Sequence, residues 1–286
     1  MDVTLINNIT NTSIIFDNKN YVINQIITDD TNVAHSTKKT IKQIGENIIN
    51  SSVSSRKISI IGYLIGTSNL DLINKKNLLL NLINPLQSIT IQANNSYQIT
   101  AKPTATVQWG TTPETNNECF VKFNINFLAP STLWEDINPT VVNFTPYLKK
   151  WVFPFHLTKN QFVFGVKTQD LYTTIYNNAN VDLGATFTLT ALAEVVNPSI
   201  INIITGEQMN LDVTLQPKDT LIITSNYNKK SITLNGNKAI KIFKFLNSKW
   251  LMIHQGENTF TYSTENNAEN SLNIEIEYFN AYWGVV

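Results

Sequence analysis

Short alternations of apolar and polar residues, cut by turn residues, run along almost the whole chain. A period of two places successive side chains on opposite faces of an extended strand. In the first half this pattern predicts strands over Val3–Ile6, Ser13–Phe16 and Tyr21–Ile27, separated by Asn- and Asp-rich turns. Arg56–Leu64 is a further strand, with Ile58, Ile60 and Gly62 on one face and Lys57, Ser59 and Ile61 on the other. Ser88–Ala93 and Tyr97–Lys102 predict a hairpin across Asn94-Asn95-Ser96. Cys119, Val121, Phe123, Ile125 and Phe127 alternate with Lys122, Asn124 and Asn126, as in a half-buried strand. The polar stretch Thr37–Ser55 is only weakly periodic and reads as a long loop or a mobile β-arm. One stretch has helical spacing. Leu72, Leu79, Leu82 and Ile83 form an apolar stripe over Asp71–Ile83. Ser68 and Asp71 open it as a capping box, and Asn84-Pro85 stops it, because the residue before proline avoids the α region.

The pattern breaks from Ala129-Pro130 through Pro139 to Pro146, which marks a domain boundary. The expected division is an N-terminal domain over 1–135, a Pro-containing linker over 136–146 and a C-terminal domain over 147–286. Beyond the break the chain reads as short strands and turns. An Asn197-Pro198 turn precedes Ile200–Thr205. Met209, Leu211, Val213 and Leu215 predict one alternating strand. Pro217-Lys218-Asp219 turns the chain into a strand containing Leu221 and Ile223. Asn235-Gly236 predicts a two-residue hairpin turn, and Leu272, Ile274, Ile276 and Tyr278 a late strand. With Gly165, Gly184 and Gly256 as further punctuation, this half predicts an antiparallel β-sandwich. The fold class is mainly β, with one α-helix in the N-terminal domain.

Charge and composition remove several function classes. The 21 basic and 21 acidic residues cancel, so no global field favours nucleic acid or an anionic membrane. The visible basic groupings are short pairs such as Lys38-Lys39 and Lys149-Lys150, read as solvated surface. The single Cys119 excludes an intramolecular disulfide and a multi-Cys zinc site. Its place in the alternation predicts a buried, inert thiol. His35, His156 and His254 show no metal-ligand spacing, and none has an acidic partner at such spacing. The adjacent acids Asp29-Asp30 and Glu135-Asp136 lie in turn-like contexts and would point to opposite faces on a strand, which makes a poor dyad. No nucleophile elbow, Walker loop or dinucleotide fingerprint is present. The tryptophans at 109, 134, 151, 250 and 283 are scattered and read as core or interface packing. These readings predict no catalytic residues, no cofactor and no metal. The N-terminal residues lack a signal-peptide pattern and no apolar run reaches membrane-spanning length, so synthesis and assembly in the cytoplasm without membrane insertion are expected.

The order of these signals resembles the siphophage tail components known as distal tail (Dit) proteins. The first half carries the strand Arg56-Lys-Ile-Ser-Ile-Ile-Gly62, a leucine-rich helix closing in Leu82-Ile-Asn84-Pro85, and a strand ending Phe127-Leu-Ala-Pro130. Ala129-Pro-Ser-Thr-Leu-Trp134 stands where the family commonly has an acidic-Pro-aromatic-Trp segment. The second half carries Asn197-Pro198-Ser-Ile200, Asn202, Thr205-Gly206-Glu207 and Gly256-Glu-Asn258 in the order of the family's galectin-like domain. The structural positions singled out are Arg56, Gly62, Asn84, Pro85, Trp134, Asn197, Pro198, Asn202, Thr205, Gly206, Gly256 and Asn258. Lys149–Thr186 matches least well. The resemblance implies a virion protein forming a hexameric ring at the distal end of the tail tube. The N-terminal domains would make the ring and the galectin-like domains would point outward. Its implied partners are further copies of itself, the tail-tube protein, a tail-tip or tail-associated hub protein, and receptor-binding or baseplate proteins. DNA would pass through the opening without specific binding. A baseplate hub of a contractile tail or a tail-like bacteriocin is a related reading. A carbohydrate-binding β-sandwich of a tail or surface adhesion apparatus, and a tail-associated hydrolase, are the alternatives from other classes.

Overall fold

Nearly every alternating stretch is a strand in the computed structural model, which describes residues 2–28, 33–144 and 171–284 and the backbone of 147–149 and 165–167. The chain divides into two units, one of residues 1–137 with 282–286 and the other of residues 138–281. Asp29, Asp30, Pro146, Lys150, Trp151 and His156 lie outside the described residues, as does the Lys149 side chain.

The first unit contains β1 (Val3–Asn7), β2 (Ser13–Phe16), β3 (Tyr21–Thr28), β4 (Val33–Lys38), β5 (Asn47–Val53), β6 (Arg56–Ile65), α1 (Asn69–Leu82), β7 (Ile89–Ala93), β8 (Tyr97–Pro103), β9 (Gln108–Trp109), β10 (Phe120–Ala129) and β11 (Trp134–Asp136). The main antiparallel sheet runs β2-β1-β7-β8-β10-β6-β3. Its two end strands come together where Phe16 meets Tyr21, with ring centroids 6.0 Å apart, so the sheet wraps its own core. Ile58, Ile60, Leu64, Phe123, Ile125 and Phe127 fill that core, as the alternation requires. The Asn94-Asn95 turn has both residues left-handed, at φ 51° and 53°, matching the primed turn that suits strand twist.

Helix α1 buries Leu72, Leu79 and Leu82, and Ile83 follows them into the core. The Ser68 hydroxyl accepts the Asp71 N–H at 3.2 Å, half of the expected box. The other half is displaced by one residue, since the Asp71 carboxylate accepts the N–H of Thr67 at 2.9 Å. Asn7 closes the far end. Its side-chain amide donates to the Leu82 carbonyl at 2.9 Å, while its oxygen accepts the N–H groups of Ile9 and Thr10. The stretch read as a loop or arm is a two-stranded hairpin of β4 and β5, with every strand residue exposed.

The second unit contains β12 (Thr140–Phe144), β13 (Tyr147–Lys149), β14 (Gly165–Lys167), β15 (Tyr172–Asn177), β16 (Ala185–Ala191), β17 (Val195–Val196), β18 (Ser199–Asn202), β19 (Gln208–Asn210), β20 (Thr214–Leu215), β21 (Thr220–Asn226), β22 (Lys229–Leu234), β23 (Asn237–Lys238), β24 (Gly256–Ser263) and β25 (Leu272–Tyr278). A sheet in the order β12-β25-β16-β21-β22-β23 faces a second in the order β15-β24-β18-β19. Phe187 of the first sheet meets Phe260 of the second, and Phe144 meets Tyr262 at 4.8 Å, so the two inner faces form one sandwich core. Asn235-Gly236 makes the expected two-residue turn, pairing Leu234 with Asn237. A final short strand, β26 (Ala281–Tyr282), pairs with β11 where the chain rejoins the first unit.

Three expectations need correction. Cys119 is exposed rather than buried. The Asn117 side chain takes the N–H groups of both Cys119 and Phe120, so the strand starts only at Phe120 and the alternation does not extend back to the thiol. The segment 136–146 is not merely a linker, because Thr140–Phe144 pairs residue by residue with Tyr278–Ile274. Met209–Leu215 is two short strands in different pairings, β19 with β18 and β20 with β17. Between them the Asn197 side-chain oxygen takes the Val213 N–H at 3.0 Å, diverting that group from any ladder.

Candidate functional site

The turns singled out in the second half converge on one end of the sandwich. Asn202 ends β18 and is fully buried. Its oxygen accepts the Ile204 N–H at 3.1 Å, and its amide donates to the Asn258 oxygen at 3.1 Å. Thr205 accepts the Glu207 N–H, and Gly206, at φ 70°, supplies the left-handed residue that completes the β18–β19 turn. Asn258, also fully buried, accepts the His254 N–H and donates to the carbonyls of His254 and Gly256. Two asparagines thus satisfy the backbone of two loops that have no ladder partner there, which a buried turn requires.

The same contacts aim a charged group. The backbones of Leu183 and Ile253 exchange two hydrogen bonds of 2.9 Å, which sets Asp182 beside His254. The His254 imidazole lies between two carboxylates, with Nδ1 3.0 Å from Asp182 and Nε2 2.8 Å from Glu207. Glu207 also meets Lys249 at 2.9 Å, and Asp182 accepts the Gln255 N–H. Sequence spacing therefore misses the acidic partners of His254, since they are 72 and 47 residues away. Burial alone would lower the imidazole pKa, but the bonds to Glu207 and Asp182 outweigh it and hold it above the ordinary histidine value. Glu207 is held below the usual carboxylate range by the hydrogen bond from His254, against the opposing effect of burial, with Lys249 adding to the shift. Both ring nitrogens are engaged, so the geometry is that of a staple between three loops rather than of a poised base. Among the described residues no group of His, Cys, Asp and Glu side chains is disposed to hold a metal ion. Beside the staple lies an open pocket of about 280 Å³ lined by Thr205–Gln208 and Leu246–Lys249.

The other singled-out positions are architectural. Asn197 is left-handed at φ 46°, its amide bonded to Glu265, and Pro198 gives its carbonyl to the Leu211 N–H. In the first unit, Arg56 is buried at the start of β6 and donates to the Trp283 carbonyl. Gly62 lies under the Phe123 ring. Asn84 accepts the Leu86 N–H in the Asn84-Pro85 stop, and Trp134 is buried. These five are not brought into one cluster. Cys119 borders an open pocket of about 420 Å³ with Val22, Tyr63, Ile65, Glu114 and Phe120. Glu135 is half-buried and burial pushes its carboxyl pKa up. Trp250 stacks on Phe243 at 4.5 Å, so its ring is committed to packing. No helix among the described residues is long and apolar enough to cross a membrane.

Comparison with known proteins agrees with this architecture. Residues 9–129 match the phage tail protein RIFT-related domain, and residues 178–282 match the C-terminal domain of the siphovirus-type tail component. Among solved structures, the Dit protein of phage SPP1 superposes with a TM-score of 0.68 at 9% identity, over 98% of this chain and 99% of that one. That protein is described as a paradigm of the hub adsorption apparatus in phages infecting Gram-positive hosts. A chain of the phage P2 baseplate in its activated conformation superposes at 0.55 with 10% identity, covering 99% of both chains. At such identities these superpositions establish the fold. No curated protein matches the chain. The two units define a mainly β structural component of a phage tail. Within that class, the chain belongs to the siphovirus-type tail component family, as a phage distal tail protein.

Proposed function

We propose that the protein is a non-enzymatic hub that forms a closed ring, six copies around, at the distal end of the tail tube. The first unit makes the ring and continues the channel through which DNA passes. The second unit, a galectin-like sandwich, points outward and holds receptor-binding or baseplate proteins, while tube and tail-tip proteins bind the two faces of the ring. The observation that carries this reading is the β4–β5 arm. A two-stranded hairpin is marginal in water by itself, and this one leaves Ile41, Ile44, Ile48 and Ile49 exposed among the described residues. Ile44 is fully exposed. Such an arm gains stability when it lies on a neighbouring copy, and a head-to-tail contact of that kind closes into a ring when the rotation is right. The family membership supports the same reading.

The test replaces residues 33–53 with a short glycine–serine link and compares both proteins by sedimentation and circular dichroism. The shortened protein should keep its β spectrum and lose the closed oligomer. An unchanged oligomer would remove the arm from the ring contact.

A further inference from the structure

Between Asp219 and Glu257 the sequence has six lysines and no acidic residue: Lys229, Lys230, Lys238, Lys241, Lys244 and Lys249. The overall charge balance hides this local excess, which paired lysines alone did not reveal. The fold gathers it. β23 is the outer strand of the six-stranded sheet, next to β22, and β19 is the outer strand of the four-stranded sheet. The chain after β23 bridges these two borders. Ala239 N–H donates to the Ile232 carbonyl, Lys244 N–H to Asn210 and Lys249 N–H to Gln208. One edge of the sandwich is therefore built from this segment, and all six lysines on it are exposed. Among the described residues two carboxylates pair with them, Asp212 at 3.7 Å from Lys244 and Glu207 at 2.9 Å from Lys249. Among the described residues, Lys229, Lys230, Lys238 and Lys241 make no ion pair.

The same edge exposes apolar side chains. Leu246 is 99% exposed, Phe245 63% and Ile240 42%. Phe243, behind them, is stacked on Trp250 and meets Phe245 edge-on at 4.9 Å, which gives the patch a fixed backing.

We infer that this edge docks an acidic, amphipathic segment of another tail protein. The inference rests on the second unit being the partner-holding half of the hub. Four uncompensated lysines would attract any polyanion. The exposed leucine, phenylalanine and isoleucine discriminate between them. A nucleic acid or an anionic polymer gains little by covering Leu246, whereas a protein segment with its own apolar residues removes both surfaces from water. The lysines steer and orient the partner, and the apolar anchors slow its departure.

The test uses the full chain and four labelled probes in fluorescence anisotropy: a peptide alternating Glu with Leu and Phe, poly-glutamate of equal length, single-stranded DNA and poly(glycerol phosphate). The mixed peptide should bind most tightly, and added salt should weaken it. Its affinity should fall about tenfold or more when Lys229, Lys230, Lys238 and Lys241 are all changed to Gln, and again in Phe245→Ser/Leu246→Ser, whose charges are intact. All six positions are exposed, and circular dichroism checks that both variants fold. Equal or tighter binding of the purely anionic probes would overturn the inference in favour of a polyanion site. Binding unaffected by either variant would overturn it outright. Sedimentation of the same samples separates the two readings. A lysine variant that loses the oligomer makes this edge a contact between copies and ends the inference. A monomeric parent that still binds the peptide as described leaves it standing and defeats the ring instead.

Discussion

Gly62 shows how little room the first core leaves. It sits opposite Phe123 in the β6–β10 register. A Cβ there would lie 2.3 Å from the Val22 carbonyl oxygen and 2.6 Å from the Phe123 ring. The ring can shift, but the oxygen belongs to the β3 backbone beside it. Gly62→Ala should therefore destabilise the first unit by about 1–3 kcal/mol. A urea midpoint equal to that of the parent would show that β3 yields freely. His254 makes a prediction of a different kind. Its pKa is raised in the fold, so its bonds stabilise fully below the ordinary value of 6.5 and lose that effect as pH rises through the folded value. Glu207 is lowered, so its contribution is present above its ordinary 4.5 and is lost as pH falls through its folded value. The staple is thus strongest in mild acid. His254→Gln should cost up to about 1 kcal/mol near pH 6, because the groups are partly exposed, and nothing near pH 9. A difference between variant and parent that is equal at both pH values would contradict this account.

At the scale of elements, what could be read from the sequence was what neighbouring residues decide. The α1 stripe, its Ser68 cap and the Asn84-Pro85 stop act within a few residues of one another, and all are present in the helix. The partner that closes its far end is Asn7, 75 residues from Leu82, and no local pattern reveals it. Leu79→Ala should cost about 2–5 kcal/mol, because the side chain is fully buried. Asn7→Ala should cost about 1–3 kcal/mol by stranding the Ile9 and Thr10 N–H groups and leaving the Leu82 carbonyl with the Asn84 N–H alone. Chemical denaturation of the two single variants measures both, and a negligible effect of Asn7→Ala would mean that water replaces the cap. Cys119 and Val213 fail for the same physical reason. Alternation predicts which way a side chain points while a strand lasts, but side-chain oxygens on Asn117 and Asn197 decide where those strands end. The staple was legible only as separate turns at Thr205–Glu207 and Gly256–Asn258. Asp182 and His254 joined them through tertiary contact.

For the whole molecule, the units do not follow the Pro-rich break exactly as the sequence suggests. The second unit includes the strand Thr140–Phe144, and residues 282–286 belong to the first. A fragment of residues 138–281 should fold as a sandwich and unfold at a higher denaturant concentration than one of residues 147–286, which lacks the outer strand β12 and the burial of Phe144. Equal midpoints would show that β12 adds nothing to the sandwich. The resemblance to distal tail proteins was readable because turn motifs keep their order along the chain. The proposed ring would be a property of several chains, resting on surfaces such as the exposed β4–β5 arm, whose cover no single sequence displays. The most direct measurement is electron microscopy of the purified full-length protein, alone and mixed with tail-tube protein. The account predicts closed six-fold rings with an open centre, seated end-on on the tubes. Single particles that remain monomeric at high concentration and do not bind tube ends would contradict it.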